Sequence, residues 1–202
     1  MKVLIPDHLG LWKIYKSEHP IKHYHILTID PGIVNFCFRL DKVILNDNRP
    51  ILIQNLKYEL RSLTMPKGKA RKFDYDPVYI MFRQLVDEML EHAEGLIIVL
   101  VEDQIPMNRK AMKVQRYLYQ ELFSRKLLII SINPRMKYKL MNTDKKSGYL
   151  ESYKILEGWD DIHSVSVLED AQKKDDLSDV VLMEHYFLNT VNMSDLYDKI
   201  KD

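Results

Sequence analysis

The sequence predicts an α/β fold, in which helices flank a mixed five-stranded sheet. Three segments rich in β-forming residues, at 24–30, 36–45 and 51–60, follow one another closely enough to form an antiparallel meander. Two later apolar segments, at 96–101 and 127–132, alternate with segments whose apolar residues recur at helical spacing. The resulting order, β-β-β-α-β-α-β-α, is typical of a sheet that carries helices packed on its faces.

Each of the first three strands is bounded by a turn signal. The apolar run at 24–30 ends in an Asp-Pro-Gly sequence. The second strand, at 36–45, alternates in part between apolar and polar side chains. The sequence Asn-Asp-Asn-Arg-Pro at 46–50 is a turn signal that separates it from the third strand.

Three helices are predicted from the spacing of apolar residues. The first spans 78–92, with an apolar face formed by Val78, Met81, Phe82, Leu85, Val86, Met89 and Leu90. The second spans 107–125, with an apolar side formed by Ala111, Val114, Leu118 and Leu122. The last spans 176–188. The strand at 96–101 is apolar on both faces, as expected for a parallel strand covered by helices on both sides.

The chain is long enough for one sizeable core. It has 202 residues, of which 46% are hydrophobic, so we expect one domain at 24–192, an extension at 1–23 and a tail at 193–202. No apolar run approaches the roughly 18 residues of a membrane span. Residues 1–25 lack a signal-peptide core, and Cys37 is the only cysteine. We therefore expect an intracellular protein without a membrane partner.

The formal net charge of +1 hides an uneven distribution of charge. Residues 105–147 carry eleven Lys and Arg against two acids, and residues 61–72 carry five with no acid. From residue 149 onward there are thirteen acids against five Lys. The basic middle could bind a phosphate backbone, although a charge run of this kind could equally be a set of solvated helix faces.

Four acids on three separate segments indicate the chemistry. Asp30 and Glu102 each end an apolar strand, where the ligands of α/β sheets tend to gather. Asp176 and Asp179 lie three apart, on one face of the last predicted helix. Buried carboxylates are costly unless they are paired or bind a metal, and Mg²⁺ prefers oxygen ligands of this kind. Because two such ions can clamp a phosphodiester displacement, the working hypothesis is a metal-dependent nuclease.

The same acids have structural alternatives. Asp30 could accept hydrogen bonds in the turn that follows it. Asp103 could replace Glu102 as a ligand, although strand alternation directs the two side chains to opposite sides. Acids at a helix N-terminus cap amides and suit the macrodipole, which fits Asp175 best and Asp179 least.

Four short motifs occur in the order in which one known family has them. They are Asp-x-Gly at 30–32, Glu-x-Gln at 102–104, Asn-Pro-x-x-Lys at 133–137 and Lys-Lys-Asp-Asp-x-x-Asp at 173–179. Over residues 24–190 the sequence resembles the RuvC-like Holliday junction resolvases, which have the RNase H-like fold. Within that group it is most similar to the resolvases of poxviruses and other large DNA viruses. Their relatives include bacterial RuvC and fungal mitochondrial resolvases.

The resemblance implies a homodimer that binds a four-way DNA junction and cuts two opposed strands, in DNA recombination and repair. It implies two Mg²⁺ or Mn²⁺ ions per site. A viral relative would act in the host cytoplasm, and an organellar one in the mitochondrion.

The resemblance also implies roles for single residues. Metal binding and catalysis would fall to four acids, namely Asp30, Glu102, Asp176 and Asp179, with Asp30 bridging both ions. Lys137 would support the scissile phosphate or the developing charge. Lys139 is its competitor, because the spacing from Pro134 is the only guide.

Basic side chains near these acids are candidates for DNA binding. One group lies in a polar segment at 64–76 and comprises Lys67, Lys69, Arg71 and Lys72. A second group opens the second helix, just after the Glu102 strand, and comprises Arg109, Lys110, Lys113 and Arg116. Phosphate contacts position a protein on DNA, and Gln104 could orient backbone or substrate. All of these side chains could instead be simply solvated.

The sequence departs from the family pattern in three places. It has the extension at 1–23, an acidic insertion at 148–172 and an extra acid, Asp103, beside the expected Glu. Two other functions compete with the first. One is another RNase H-like nuclease, acting on RNA–DNA hybrids or resembling a transposase, and the other is a non-catalytic protein of this fold that binds branched DNA.

Overall fold

The strands that the structure describes form one mixed sheet. The computed structural model describes residues 2–4, 22–47, 49–63, 75–104, 107–141, 147–191 and 193. Its strands are β1 (Lys2–Leu4), β2 (His23–Pro31), β3 (Phe36–Asn46), β4 (Arg49–Arg61), β5 (Ile97–Glu102) and β6 (Leu128–Ile132). Their spatial order is β1-β6-β5-β2-β3-β4. The five predicted strands are thus confirmed, and β1 is a short addition from the segment predicted as an extension.

Parallel and antiparallel pairs divide the sheet into two halves. Strands β2, β3 and β4 form the predicted antiparallel meander. Strand β5 runs parallel to both β2 and β6, while β1 is antiparallel to β6. Because β2, β5 and β6 all run in the same direction, their carboxyl ends meet at one edge of the sheet. That edge carries the ends of the two strands that were predicted to supply acids.

Six helices accompany the sheet in the described part of the chain. They are α1 (Tyr75–Leu90), α2 (Arg109–Ser124), α3 (Pro134–Met141), α4 (Gly148–Gly158), α5 (Ile162–Asp170) and α6 (Lys174–Thr190). Helices α1, α2 and α6 correspond to the three predicted helices. Helices α4 and α5 occupy the stretch at 148–172 that was predicted as an acidic insertion. None of the helices in the described ranges is both long enough and apolar enough to cross a membrane.

The core consists of two apolar layers, one on each face of the sheet. Alternate residues of each strand point to opposite faces. In β2, Ile26 packs into the layer that contains the apolar side of α6, and Leu27 packs into the layer that contains α1 and α2. In β5, Ile98 and Val99 divide in the same way. This two-sided burial explains why the central strands are apolar at nearly every position.

A buried arginine joins the sheet to α5. Arg39 on β3 is fully buried, and its guanidinium forms an ion pair with Asp41. It also donates to the Asp161 carboxylate at 2.6 Å and to the Ser164 hydroxyl at 2.8 Å. Asp161 is the N-cap of α5, where its side chain accepts from the Ser164 backbone N–H. The network therefore fixes the start of α5 against the sheet.

The same network contains more carboxylates than one guanidinium can neutralise. Glu184 on α6 is fully buried, with one oxygen 3.5 Å from Arg39 Nε. Neither of its oxygens accepts a hydrogen bond from any residue in the described ranges. Burial, followed by the nearby Asp41 carboxylate, raises the pKa of Glu184 well above its usual value. Folding therefore favours the protonated carboxyl of Glu184 over a wider pH range than is usual for a glutamate.

Replacing this acid by its amide tests the network. Because the pKa of Glu184 is raised on folding, the folded state loses stability as pH rises from the ordinary Glu pKa toward the raised value. A Glu184→Gln variant keeps the shape without titrating. We expect it to exceed the wild type in free energy of unfolding by roughly 1 kcal/mol at about pH 8, with a smaller difference at about pH 5.

Urea unfolding at both pH values measures this difference. Glu157→Gln, at an exposed position of α4, is the matched control and should show no such pH dependence. A Glu184→Gln protein that is less stable than the wild type at the higher pH would contradict the protonated state.

Candidate metal centre

Two of the predicted acids lie side by side because their strands are parallel neighbours. Ile29 of β2 is in register with Val101 of β5. The next residues along the two strands are Asp30 and Glu102, which therefore reach the same edge of the sheet together. After Asp30 the chain turns tightly, with the Gly32 N–H donating to the Asp30 carbonyl at 2.9 Å.

The last helix brings a third acid to the first two. Asp179 lies in the second turn of α6. One carboxylate oxygen from each of Asp30, Glu102 and Asp179 lies within 4.8 Å of the other two. All three residues are nearly buried, with exposures of 9%, 7% and 6% respectively. We call these three residues the acidic cluster.

A buried lysine reaches into the acidic cluster from α3. Lys137 Nζ donates to Glu102 Oε1 at 2.8 Å and forms an ion pair with Asp179 Oδ1 at 2.9 Å. The Asn-Pro-x-x-Lys motif places it there, because Asn133 Oδ1 accepts from the Arg135 N–H at the start of α3 and Pro134 is the first helical residue. The side chain of the competing Lys139 lies outside the described residues.

Burial and like charge act together on the cluster. Burial, followed by the Glu102 carboxylate, raises the pKa of Asp30 well above its usual value, while Lys137 acts in the opposite direction. Burial alone would lower the pKa of Lys137, but the carboxylates of Glu102 and Asp179 raise it above the usual lysine value. Lys137 therefore stays charged, and one ammonium does not offset three carboxylates.

The donor set fits a hard divalent cation. Mg²⁺ and Mn²⁺ prefer carboxylate oxygens, and three such oxygens converge here. Three carboxylates face a single ammonium, so the negative charge in the cluster lacks full compensation. A divalent cation would supply it, so Asp30, Glu102 and Asp179 are the residues that could hold such an ion.

Asp176 faces the same region but is not part of the acidic cluster. It lies in the first turn of α6 and is half-buried, whereas Asp175 beside it is exposed. After burial, the charges of Asp30, Asp176 and Asp179 all raise the pKa of the Cys37 thiol. Asp176 thus acts electrostatically on the same end of the sheet. Cys37 is fully buried, as expected for a core residue.

Two glutamines connect the acidic cluster to α2. Gln104 Nε2 donates to Asp30 Oδ1 at 3.4 Å. Gln115 Nε2 donates to the Glu102 carbonyl at 2.9 Å, and Gln115 Oε1 accepts from the Gln104 N–H at 3.4 Å. Gln104 was a predicted site residue, but Gln115 was missed. Its signal in the sequence is a polar residue next to Val114 on the apolar side of α2.

Asp103 points away from the acidic cluster. Its carboxylate accepts a hydrogen bond from the Ser131 hydroxyl on β6. The expected alternation of side chains at the end of β5 therefore separates Asp103 from Glu102. The acid that lies with Asp30 and Asp179 is Glu102.

Tyr138 is a second neighbour of the cluster that was not predicted from the sequence. Its hydroxyl donates to Asp179 Oδ1 at 2.5 Å. Burial, followed by the Asp179 carboxylate, raises the pKa of Tyr138 far above its usual value, so the hydroxyl keeps its proton. No feature of the sequence distinguishes this tyrosine from the other eleven except its place beside Lys137.

The predicted DNA-binding residues fall into two groups in the structure. Those on α2 lie at its start, on the exposed side of the helix, and comprise Arg109, Lys110, Lys113 and Arg116. This helix begins seven residues after Glu102, so it starts near the edge of the sheet that carries the acids. The second group, Lys67, Lys69, Arg71 and Lys72, lies outside the described residues.

Solved structures share this fold, although no protein-family model and no curated protein matches the sequence. Thermus thermophilus RuvC has a TM-score of 0.54 at 15% identity, over 83% of this chain and 97% of that chain. The complex of T. thermophilus RuvC with a Holliday junction substrate has a TM-score of 0.52 at 16% identity, over 84% of this chain and 97% of that chain. Fowlpox virus resolvase with substrate Holliday junction DNA gives 0.58 at 15% identity, over 82% and 97%.

These comparisons establish the fold class. The protein has a RuvC-like, RNase H-like fold, as the motif order predicted. Within that fold, Lys137 and the three residues of the acidic cluster form a buried centre at the carboxyl ends of β2 and β5.

Removing the buried ammonium group of Lys137 should destabilise the protein. In a Lys137→Met variant, the carboxylates of Glu102 and Asp179 would remain buried without their ammonium. We expect a loss of about 3 kcal/mol in the free energy of unfolding, measured by urea denaturation in the presence of a chelator. Lys154→Met removes an ion pair with Glu151 from an exposed lysine and should cost under about 0.5 kcal/mol. Equal losses in the two variants would contradict a buried ion pair at Lys137.

Proposed function

We propose that this protein is a Holliday junction resolvase, a metal-dependent endonuclease that selects four-way DNA junctions and hydrolyses paired phosphodiesters. The acidic cluster carries the proposal, because it places three carboxylates and Lys137 at one edge of a RuvC-like sheet. Support also comes from two solved structures of this fold, RuvC and Fowlpox virus resolvase, which hold Holliday junctions.

Asp30, Glu102 and Asp179 would hold divalent cations, Mg²⁺ or Mn²⁺, with Asp176 as a fourth acid beside them. Two bound ions would supply Lewis-acid stabilisation of the charge on the attacked phosphate and on the leaving oxygen. The four carboxylates and one ammonium carry a net negative charge. Because this charge would attract cations and repel the phosphates of DNA, the metal ions and the DNA would bind together.

The other side chains would prepare this site. The hydrogen bond from Gln104 to Asp30 steadies the central carboxylate. The Lys137 ammonium fixes one oxygen each of Glu102 and Asp179. Lys137 would also support the negative charge that develops on the scissile phosphate. The burial of these groups strengthens each electrostatic contact.

DNA binding would rest on shape and phosphates more than on base edges. The basic side chains at the start of α2 are exposed, on the helix whose Gln115 donates to the Glu102 carbonyl, and would contact phosphates. Lys67, Lys69, Arg71 and Lys72 would extend the basic surface. A homodimer would present two such sites to opposite strands of a junction. An intracellular location, in the host cytoplasm or the mitochondrion, belongs to the same proposal.

Substituting the central acid separates DNA binding from cleavage. Asp30→Asn removes one charge from the cluster with little change of shape. We expect the variant to bind a four-way junction at least as tightly as the wild type, because the repulsion toward phosphates falls. We expect its cleavage rate to fall by about 10³-fold or more, in line with losses at catalytic groups. Gel-shift titration and single-turnover cleavage in Mg²⁺ measure the two effects.

Asp175→Asn is the matched control, because Asp175 is an exposed acid of the same type. It should cleave as the wild type does. The wild type should also be compared on four-way, linear duplex and RNA–DNA hybrid substrates. Strong residual junction cleavage by Asp30→Asn would refute the assigned site, and preferential cleavage of the hybrid would indicate another nuclease of this fold.

A further inference from the structure

The hydroxyl of Tyr138 makes the two carboxylate oxygens of Asp179 unequal. Oδ1 of Asp179 accepts from the Tyr138 hydroxyl at 2.5 Å and lies 2.9 Å from Lys137 Nζ. An oxygen that faces an ammonium and a hydroxyl donor has little remaining capacity for a further cation. Oδ2 of Asp179 is thereby left as the oxygen available to a metal. The two contacts also restrain the orientation of the carboxylate plane, because a partial rotation away from it would weaken both of them.

The ring of Tyr138 is itself held in place. Lys137 Nζ lies 5.3 Å from the centroid of the ring, within the range of a cation–π interaction. The ring also lies close to Gly148, at the start of α4. A Cβ atom at Gly148 would lie 3.1 Å from Tyr138 Cε1 and 3.3 Å from Leu182 Cδ1. The glycine therefore leaves just enough space for the ring between α4 and α6.

These contacts fix the hydroxyl relative to α6. Leu182 lies one turn after Asp179 on α6. The Tyr138 ring and its hydroxyl therefore both lie against the same helix. Residues that hydrogen-bond to a metal ligand usually orient it, and their loss typically weakens metal binding by about 10- to 100-fold. Tyr138 has the geometry of such a residue.

We propose that Tyr138 is a positioning residue, which orients Asp179 so that one of its oxygens faces a divalent cation in the acidic cluster. This inference rests on the proposed metal-dependent function. Its direct consequence concerns the binding of the metal and not only catalysis.

Calorimetric titration with Mn²⁺ alone, without DNA, tests the inference. Tyr138→Phe keeps the ring and the contact with Lys137 but removes the hydroxyl. We expect its Kd for Mn²⁺ to rise by about 10-fold over the wild type. Tyr138→Leu also removes the ring that faces Lys137 and should weaken binding at least as much.

Tyr58→Phe is the matched control. The Tyr58 hydroxyl is also buried and also donates to α6, at the Leu177 carbonyl 2.8 Å away, but it contacts none of the three clustered acids. Both Phe variants should lose stability in urea unfolding, because each removes a buried hydrogen bond to α6. Only Tyr138→Phe should change the Kd for Mn²⁺, because a merely structural tyrosine would affect unfolding alone.

The outcomes separate this inference from the proposed function. If the Kd for Mn²⁺ of Tyr138→Phe equals or falls below that of the wild type, the role of Tyr138 is overturned and the metal site stands. An equal rise in Tyr58→Phe would also overturn it, by showing a general effect of α6. A wild-type protein that binds no Mn²⁺ would instead overturn the metal site, and the role of Tyr138 with it.

Discussion

Repulsion among carboxylates at one edge of the sheet is the constraint on which the site depends. Asp30, Glu102 and Asp179 place their oxygens within 4.8 Å of one another in a nearly buried position. Such an arrangement is unfavourable in a folded protein unless cations compensate it. Lys137 supplies one positive charge through contacts with two of the three acids. The remaining negative charge is the reason why a divalent cation fits this site.

The fold produces this arrangement from separate pieces of the chain. Parallel pairing of β2 with β5 sets two acids side by side, and packing of α6 on the sheet brings the third. The buried network around Arg39 ties α6 and α5 to β3 on the same face. The helices at 148–170 thus support α6 from outside, and the slot for Tyr138 lies where α4 meets α6. The position of Asp179 therefore depends on contacts that are remote in sequence.

The features of the fold that follow from local sequence patterns could be predicted from the sequence. The strands around Ile26 and Ile98 are apolar on both faces, so their order and the strand-end positions of Asp30 and Glu102 could be predicted. Helices α4 and α5 were not predicted, because they bury few residues each and their acids obscure an apolar pattern. Tyr138 and Gln115 could not be assigned, since their roles arise from contacts with residues 41 and 13 positions away.

The most direct test uses the purified protein and an immobile four-way junction labelled on each strand in turn. Incubation with and without Mg²⁺, followed by mapping of the cut positions, tests the chemistry and the substrate together. We expect paired nicks at symmetric positions on two opposed strands, formed only when the metal is present. Junction binding without cleavage in either Mg²⁺ or Mn²⁺ would contradict the proposed function.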